Sequence, residues 1–154
     1  KKNQVFQVTT HRQAVSSKII NYHINIAIVH SDTLEYLKKG GRISATAAFA
    51  GTLLSIKPVI AIENGEVVVL GKARGSKNGN NMLKQEITKR NGIDFTAPVM
   101  LVYSGLDDSM LKKYMLDNID LWEGNPEELP YTSIGATIGT HVGPGAIGVA
   151  FFHK

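Results

Sequence analysis

Two hydrophobic periods alternate along the chain, and the switches between them lay out its elements. Ile24-Asn25-Ile26-Ala27-Ile28-Val29 has period two and is rich in β-branched residues, so it predicts a strand. Ser31 or Asp32 then caps a short helix that ends at Lys39. Over 45–56 the residues Ala48, Phe49, Leu53 and Ile56 recur at helical spacing, with Ala45, Ala50 and Leu54 widening the apolar face. That pattern predicts a largely buried helix, entered at the N-cap Ser44 and ended by Pro58, which biases Lys57 to extended geometry. Two apolar runs, 59–62 and 67–70, flank Glu63-Asn64-Gly65-Glu66, where Asn-Gly supplies the positive-φ pair of a tight hairpin.

Further on, 76–90 has Met82, Leu83 and Ile87 on one face and Asn91-Gly92 at its end, an amphipathic helix with its stop signal. A buried strand is expected over 98–103. A helix follows over 106–118, with Asp107 and Asp108 in the first turn, where carboxylates favour the helix dipole, and Met110, Leu111 and Met115 facing inward. Residues 122–130 read as an acidic loop. The last two strands, 131–138 and 146–152, are separated by a glycine-rich turn. Residues 1–23 are polar with poor periodicity and are set apart from a domain over 24–154; a helix over 9–21 is the reading they allow. A hairpin combined with βαβ-like alternation predicts an α/β (α+β) fold, a mixed sheet with flanking helices.

At 154 residues the chain has the length of one domain, enough to bury roughly 70% of its extended surface. Hydrophobic residues make up 43% and charged residues 19%, and no run approaches the roughly 20 apolar residues of a membrane span, so a soluble protein without membrane insertion is expected. The absence of cysteine excludes disulfides, a thiolate nucleophile and a cysteine-based zinc site, and fits a reducing, cytoplasmic setting. Lys1 opens the chain with neither a methionine nor a signal-peptide pattern, which suggests a piece of a longer protein. The net charge of +4 hides an asymmetry: residues 1–90 carry 14 Lys and Arg against 5 acids, residues 91–154 carry 3 against 8. A basic half attracts an anionic ligand or an acidic partner. Its cations lack the interleaved aromatics of a base-stacking surface, so nucleic acid is not expected.

Three motifs carry candidate chemistry. Leu34-Glu35-Tyr36-Leu37-Lys38-Lys39-Gly40-Gly41-Arg42-Ile43-Ser44 runs a helical turn into paired glycines that can take positive φ, stop the helix and aim Arg42. Gly139-Thr140-His141-Val142-Gly143-Pro144-Gly145 reads as a strand end entering a loop of exposed amides, with a hydroxyl donor in Thr140 and an imidazole donor in His141. The alternative is a hairpin whose glycines serve turn geometry, with a structural histidine beside them. In Gly71-Lys72-Ala73-Arg74-Gly75-Ser76-Lys77, Lys72 and Lys77 read as solvated. Arg74, between small residues, suits a bidentate contact with carboxylate or phosphate. There is no Walker-type phosphate loop, no His-Glu-x-x-His and no Gly-x-Ser-x-Gly elbow, so no catalytic dyad, metal site or cofactor is expected.

The first and third of these segments in chain order, together with Leu54-Ser55-Ile56-Lys57-Pro58-Val59-Ile60 between them, resemble the C-terminal domain of the DegV family of bacterial fatty-acid-binding proteins: the glycine-arginine motif, the Lys-Pro motif and Gly139 to Gly145 fall in the family's order and spacing. The resemblance covers about residues 24–154. It implies two α/β domains with an acyl chain in a tunnel between them, and a separate ATP-dependent kinase that phosphorylates the bound carboxylate to an acyl-phosphate for phospholipid synthesis. The carrier itself is not catalytic. By the same resemblance Arg42, Thr140 and His141 bind the lipid head group, and Arg42, Arg74 and His141 face the kinase. Phe49, Leu53 and Leu54 either line the tunnel or pack the core. The family's N-terminal domain, whose Ser and Thr hydroxyls hold the carboxylate, has no counterpart in these residues.

Two other functions stay open at this stage: a small-molecule enzyme with His141 as base and Arg42 as anion clamp, or a basic module that docks an acidic protein. A homodimer built on apolar surface also stays open.

Overall fold

The computed structural model describes residues 24–29, 35–41, 56–63 and 66–154. The expected helices over 9–21 and 45–56, the Asn64-Gly65 turn and Arg42 fall wholly or mostly outside them. Six strands form one mixed sheet in the order β3-β2-β1-β6-β4-β5. They are β1 (Ile24–Val29), β2 (Ile56–Glu63), β3 (Glu66–Arg74), β4 (Met100–Tyr103), β5 (Tyr131–Ser133) and β6 (Ile147–Phe152). All neighbours are antiparallel except β4 and β5. Among the described residues there are four α-helices, α1 (Glu35–Lys39), α2 (Gly75–Lys89), α3 (Ser109–Asp117) and α4 (Ala136–Val142), and two short 3₁₀ turns, Ile119–Leu121 and Pro126–Glu128.

The hairpin expectation holds in its pairing, with Glu63 opposite Glu66 and the ladder running on to Ile56 opposite Arg74. Ile56 therefore begins a strand instead of ending a helix, because the β3 partner extends that far. A register shift at Val59/Ile60 places one extra residue, Leu70, on β3. On either side of it the strands alternate between two cores. Val59 belongs to the larger one, with Leu83 and Ile87 of α2 and Leu111, Tyr114 and Met115 of α3. Ile60, pointing the other way, packs with Leu37 of α1 and Val142 of α4. The sheet is thus sandwiched, α2 and α3 on one face, α1 and α4 on the other.

α2 ends as its sequence predicts. Asn91 takes φ 64 and Gly92 φ 76, and their amides donate to Thr88 and Ile87, the two bonds of a Schellman motif. α3 is shorter than expected: Asp108 is its N-cap, Asp107 accepts from the Ser109 amide at 3.0 Å, and Leu106 is left fully exposed in the preceding loop.

The largest departure lies at 131–142. Only three residues form β5, and Gly139-Thr140-His141-Val142 belongs to α4, so the expected strand and loop of free amides are replaced by a helix. Ile134, Ile138 and Val142 recur every four residues and pack on Ile60, Ile62, Val67 and Val69. Burial of that stripe decides for the helix against the β-branched composition.

No helix among the described residues is long and apolar enough to cross a membrane.

Candidate functional site

α1 ends on the glycine pair with a bond from the Gly40 amide to the Tyr36 carbonyl at 2.8 Å. Only Gly41 takes positive φ, at 64°, so the expectation that both glycines serve the turn is corrected for Gly40. The need at Gly40 is space. A Cβ there would lie 2.0 Å from His141 Nδ1 and 2.9 Å from Cε1, since the imidazole rests on the glycine backbone. One turn away the relationship is reversed: a Cβ on Gly143 would lie 2.4 Å from the Tyr36 ring, and Gly143 also takes φ 74. Two glycine–ring contacts therefore lock α1 to α4 and bring the glycine-arginine motif to the histidine motif, 100 residues apart in the chain.

His141 is half-buried, and its Nδ1 is buried with no hydrogen-bond partner among the described residues. A proton on Nδ1 would be a buried, unsatisfied donor, so the arrangement favours the tautomer with its proton on Nε2. Nε2–H is then the donor that the ring offers. Thr140 Oγ1 is exposed and donates to Thr137 O at 3.0 Å, within its own helix. Its proton is committed, and its lone pairs are what it presents. The amide of Gly143 is likewise spent, on Gly139 O at 2.8 Å.

The C-terminal end of α4 is held by Ser104, the residue directly after β4. Ser104 is buried. Its hydroxyl donates to Gly143 O and accepts from the Ala146 amide at 3.0 Å. Its backbone amide donates to Ala146 O at 2.8 Å, and its carbonyl accepts from the Gly145 amide at 2.6 Å. Four bonds to one loop leave Gly143-Pro144-Gly145 a single path back into β6. No local signal in Tyr103-Ser104-Gly105 marks this, because every partner lies about 40 residues away.

Arg74 closes β3 opposite Ile56, exposed, and its guanidinium makes no hydrogen bond or ion pair among the described residues. Alternation from Ile60 through Pro58 to Ile56 puts Arg74 on the sheet face that carries α1 and α4. It stands about 13 Å along the strand from Ile60, four residues at roughly 3.3 Å each. The structure thus places His141 and Thr140 on one helix with Gly40 against the ring, and Arg74 on the same face at the sheet edge. Arg42 itself is outside the described residues, directly after Gly41.

Comparison with known proteins adds an independent finding. The family model described as "Uncharacterised protein, DegV family" matches residues 13–154. A DegV domain-containing protein of Caldanaerobacter subterraneus subsp. tengcongensis is 35% identical over 127 residues, 80% of this chain and 43% of that protein. Among solved structures, a fatty-acid-binding DegV family protein from Thermus thermophilus is similar with a TM-score of 0.62 at 30% identity, over 84% of this chain and 46% of that one. A fatty acid (stearic acid)-binding protein from Eubacterium ventriosum gives a TM-score of 0.60 at 25% identity, over 84% and 45%. The chain spans less than half the length of the curated relatives it matches.

Proposed function

The chain belongs to the DegV family, and on that premise we propose that it supplies one part of a fatty-acid site and presents the acid's carboxylate to a separate ATP-dependent kinase. The observation that carries this reading is the contact of Gly40 with His141, which unites two motifs at one place on a fold whose neighbours are described as fatty-acid-binding.

The division of labour follows from physical chemistry. Each buried CH₂ of an acyl chain contributes about 0.8 kcal/mol, so a long chain supplies the affinity and the polar groups supply orientation. A carboxylate needs donors to offset its desolvation. Nε2–H of His141 and the guanidinium of Arg42 fill that need, while Thr140, its proton already engaged, serves a protonated carboxyl or a donor from the partner. Arg74, exposed at the sheet edge, suits the partner's surface or the phosphorylated product more than the acid itself. The phosphoryl group comes from ATP on the kinase, and this chain contributes placement.

Native mass spectrometry followed by denaturing organic extraction tests the lipid reading on a protein of full family length that carries this chain. A retained fatty acid, much reduced in His141→Ala, is expected. A protein that holds no acyl chain after incubation with oleate overturns the reading. Adding a fatty acid kinase and ATP and trapping acyl-phosphate with hydroxylamine tests presentation separately.

A further inference from the structure

A fully exposed leucine, Leu106, stands on a fixed loop beside the histidine motif. A lone surface leucine is ordinary, and on a slack loop it loses much of its docking energy to ordering. This one is held on both sides. Before it, Ser104 makes four bonds to Gly143, Gly145 and Ala146. After it, Asp107 accepts from the amide and the hydroxyl of Ser109, the first residue of α3. Between them Gly105 takes φ 126, and a Cβ on it would lie 3.5 Å from the Gly145 amide nitrogen. The leucine loop therefore runs alongside Gly143-Pro144-Gly145, where Pro144 is exposed as well.

The same end of the sheet carries charge of both signs. Tyr103 is opposite Ile147, Ile147 opposite Val29 and Val29 opposite Val59, so β4, β6, β1 and β2 share a level there. β2 continues past it to Ile56, opposite Arg74. In the order β3-β2-β1-β6-β4 the arginine and the leucine loop are four strand spacings apart, about 19 Å at roughly 4.8 Å each. The α4 exit, which leads into β6, lies between them. Asp107 is exposed, and its described partners are the two groups of Ser109 and no cation. Hydrogen bonds from that hydroxyl and amide hold its carboxyl below its ordinary 3.8, so it is charged at neutral pH. The rim thus runs from a cation, past the histidine motif, to an apolar knob with a carboxylate beside it.

That pattern selects the occupant. An anionic membrane is repelled by a carboxylate next to the residue that would insert. A second copy related by a two-fold axis at this loop sets Asp107 against Asp107. A different protein can meet all three features at once.

We propose, on the reading of this chain as a carrier, that Leu106 is the apolar anchor by which the phosphorylating partner docks across this end of the sheet. The partner's face has an apolar pocket for Leu106, a cation against Asp107 and a carboxylate against Arg74.

The test measures acyl-phosphate formation by a fatty acid kinase and ATP at increasing concentrations of an oleate-loaded protein of full family length that carries this chain. Leu106→Ser is expected to raise the KM for the carrier about tenfold or more, the weight of one buried apolar anchor. Retained lipid, urea midpoint and kcat stay at wild-type values, because the anchor is remote from the reacting atoms, and Leu106→Met restores most of the affinity. An unchanged KM in Leu106→Ser overturns the proposal. So does a loss of lipid or stability without the kinase, which assigns Leu106 to contact with the rest of the polypeptide. Weakened sedimentation with phosphatidylglycerol vesicles at unchanged KM assigns it to a membrane and overturns the proposal equally. Wild-type protein that retains oleate yet yields no acyl-phosphate sinks the carrier reading itself, and the anchor with it.

Discussion

Gly40 and His141 are in such close contact that a single added methyl group would occupy the position of Nδ1's own van der Waals shell, 2.0 Å from that nitrogen. Val142, the next residue of α4, is buried with Leu37 and Ile60 and fixes the helix that carries the ring. Gly40→Ala is therefore expected to lower folding stability by about 1–3 kcal/mol, the usual cost of overpacking. It should also shift the His141 ring resonances and reduce fatty-acid retention as far as His141→Ala does. Unchanged ring resonances in a folded Gly40→Ala protein would show that the contact is not made.

Gly143 is the more demanding of the two glycines, since it combines φ 74 with a Cβ position 2.4 Å from the Tyr36 ring. Gly143→Ala should destabilise more than Gly40→Ala. Removal of the ring in the double variant Tyr36→Ala/Gly143→Ala relieves the clash and leaves the backbone strain. Urea midpoints of the four proteins should give a coupling of about 0.5–3 kcal/mol, and strict additivity would refute the packing argument.

Ser104 holds two backbone groups of the α4 exit that nothing else in the described structure reaches, Gly143 O and the Ala146 amide. Ser104→Ala leaves both unsatisfied in a buried place, at a cost of about 1–3 kcal/mol. Hydrogen exchange should locate the damage: the Ala146 amide exchanges faster, while amides of α2 keep their wild-type rates relative to global unfolding. Equal acceleration everywhere would mean that Ser104 acts on the whole domain and not on the loop.

Glu86 supplies the pH dependence. Burial raises its pKa, but hydrogen bonds from Lys89 and Arg90 and the attraction of both cations outweigh that, so the carboxyl titrates below its ordinary 4.5. Arg90 extends the network to Glu63 at 2.7 Å and ties α2 to the end of β2. A folded-state value below the unfolded one means that the stabilisation is full above the unfolded value and is lost as pH falls through the folded one. Glu86→Gln should thus cost about 1.5–3 kcal/mol at pH 7, the range for hydrogen bonds to charged groups. The gap to wild type should close in acid, and a gap that stays constant from pH 7 to pH 3 contradicts the assignment.

Arg74 separates placement from affinity. Exposed and without side-chain partners among the described residues, it should be replaceable by Ala within about 0.5 kcal/mol of stability. Fatty-acid retention is expected to stay at the wild-type level while acyl-phosphate formation with the kinase falls about tenfold and becomes less sensitive to salt. Loss of retained lipid in Arg74→Ala would move the residue into the head-group site.

Local patterns were enough for β1, for the β2 and β3 pairing and for α2 with its Asn91-Gly92 stop, because strand period, turn chemistry and helix capping act between residues a few positions apart. The same patterns named His141, Thr140 and Arg74 as candidates by residue type. They misplaced 131–142, where glycine and β-branched content outweighed the four-residue spacing of Ile134, Ile138 and Val142 that was also in the chain. That stripe becomes decisive once a sheet face exists to bury it, which no local rule supplies. Gly40 against the imidazole, Ser104 around the α4 exit and Lys57 beneath Ser76 have no signature in their own neighbourhoods. Each depends on groups between 19 and 101 residues away that only packing of the sheet between its helices brings within contact.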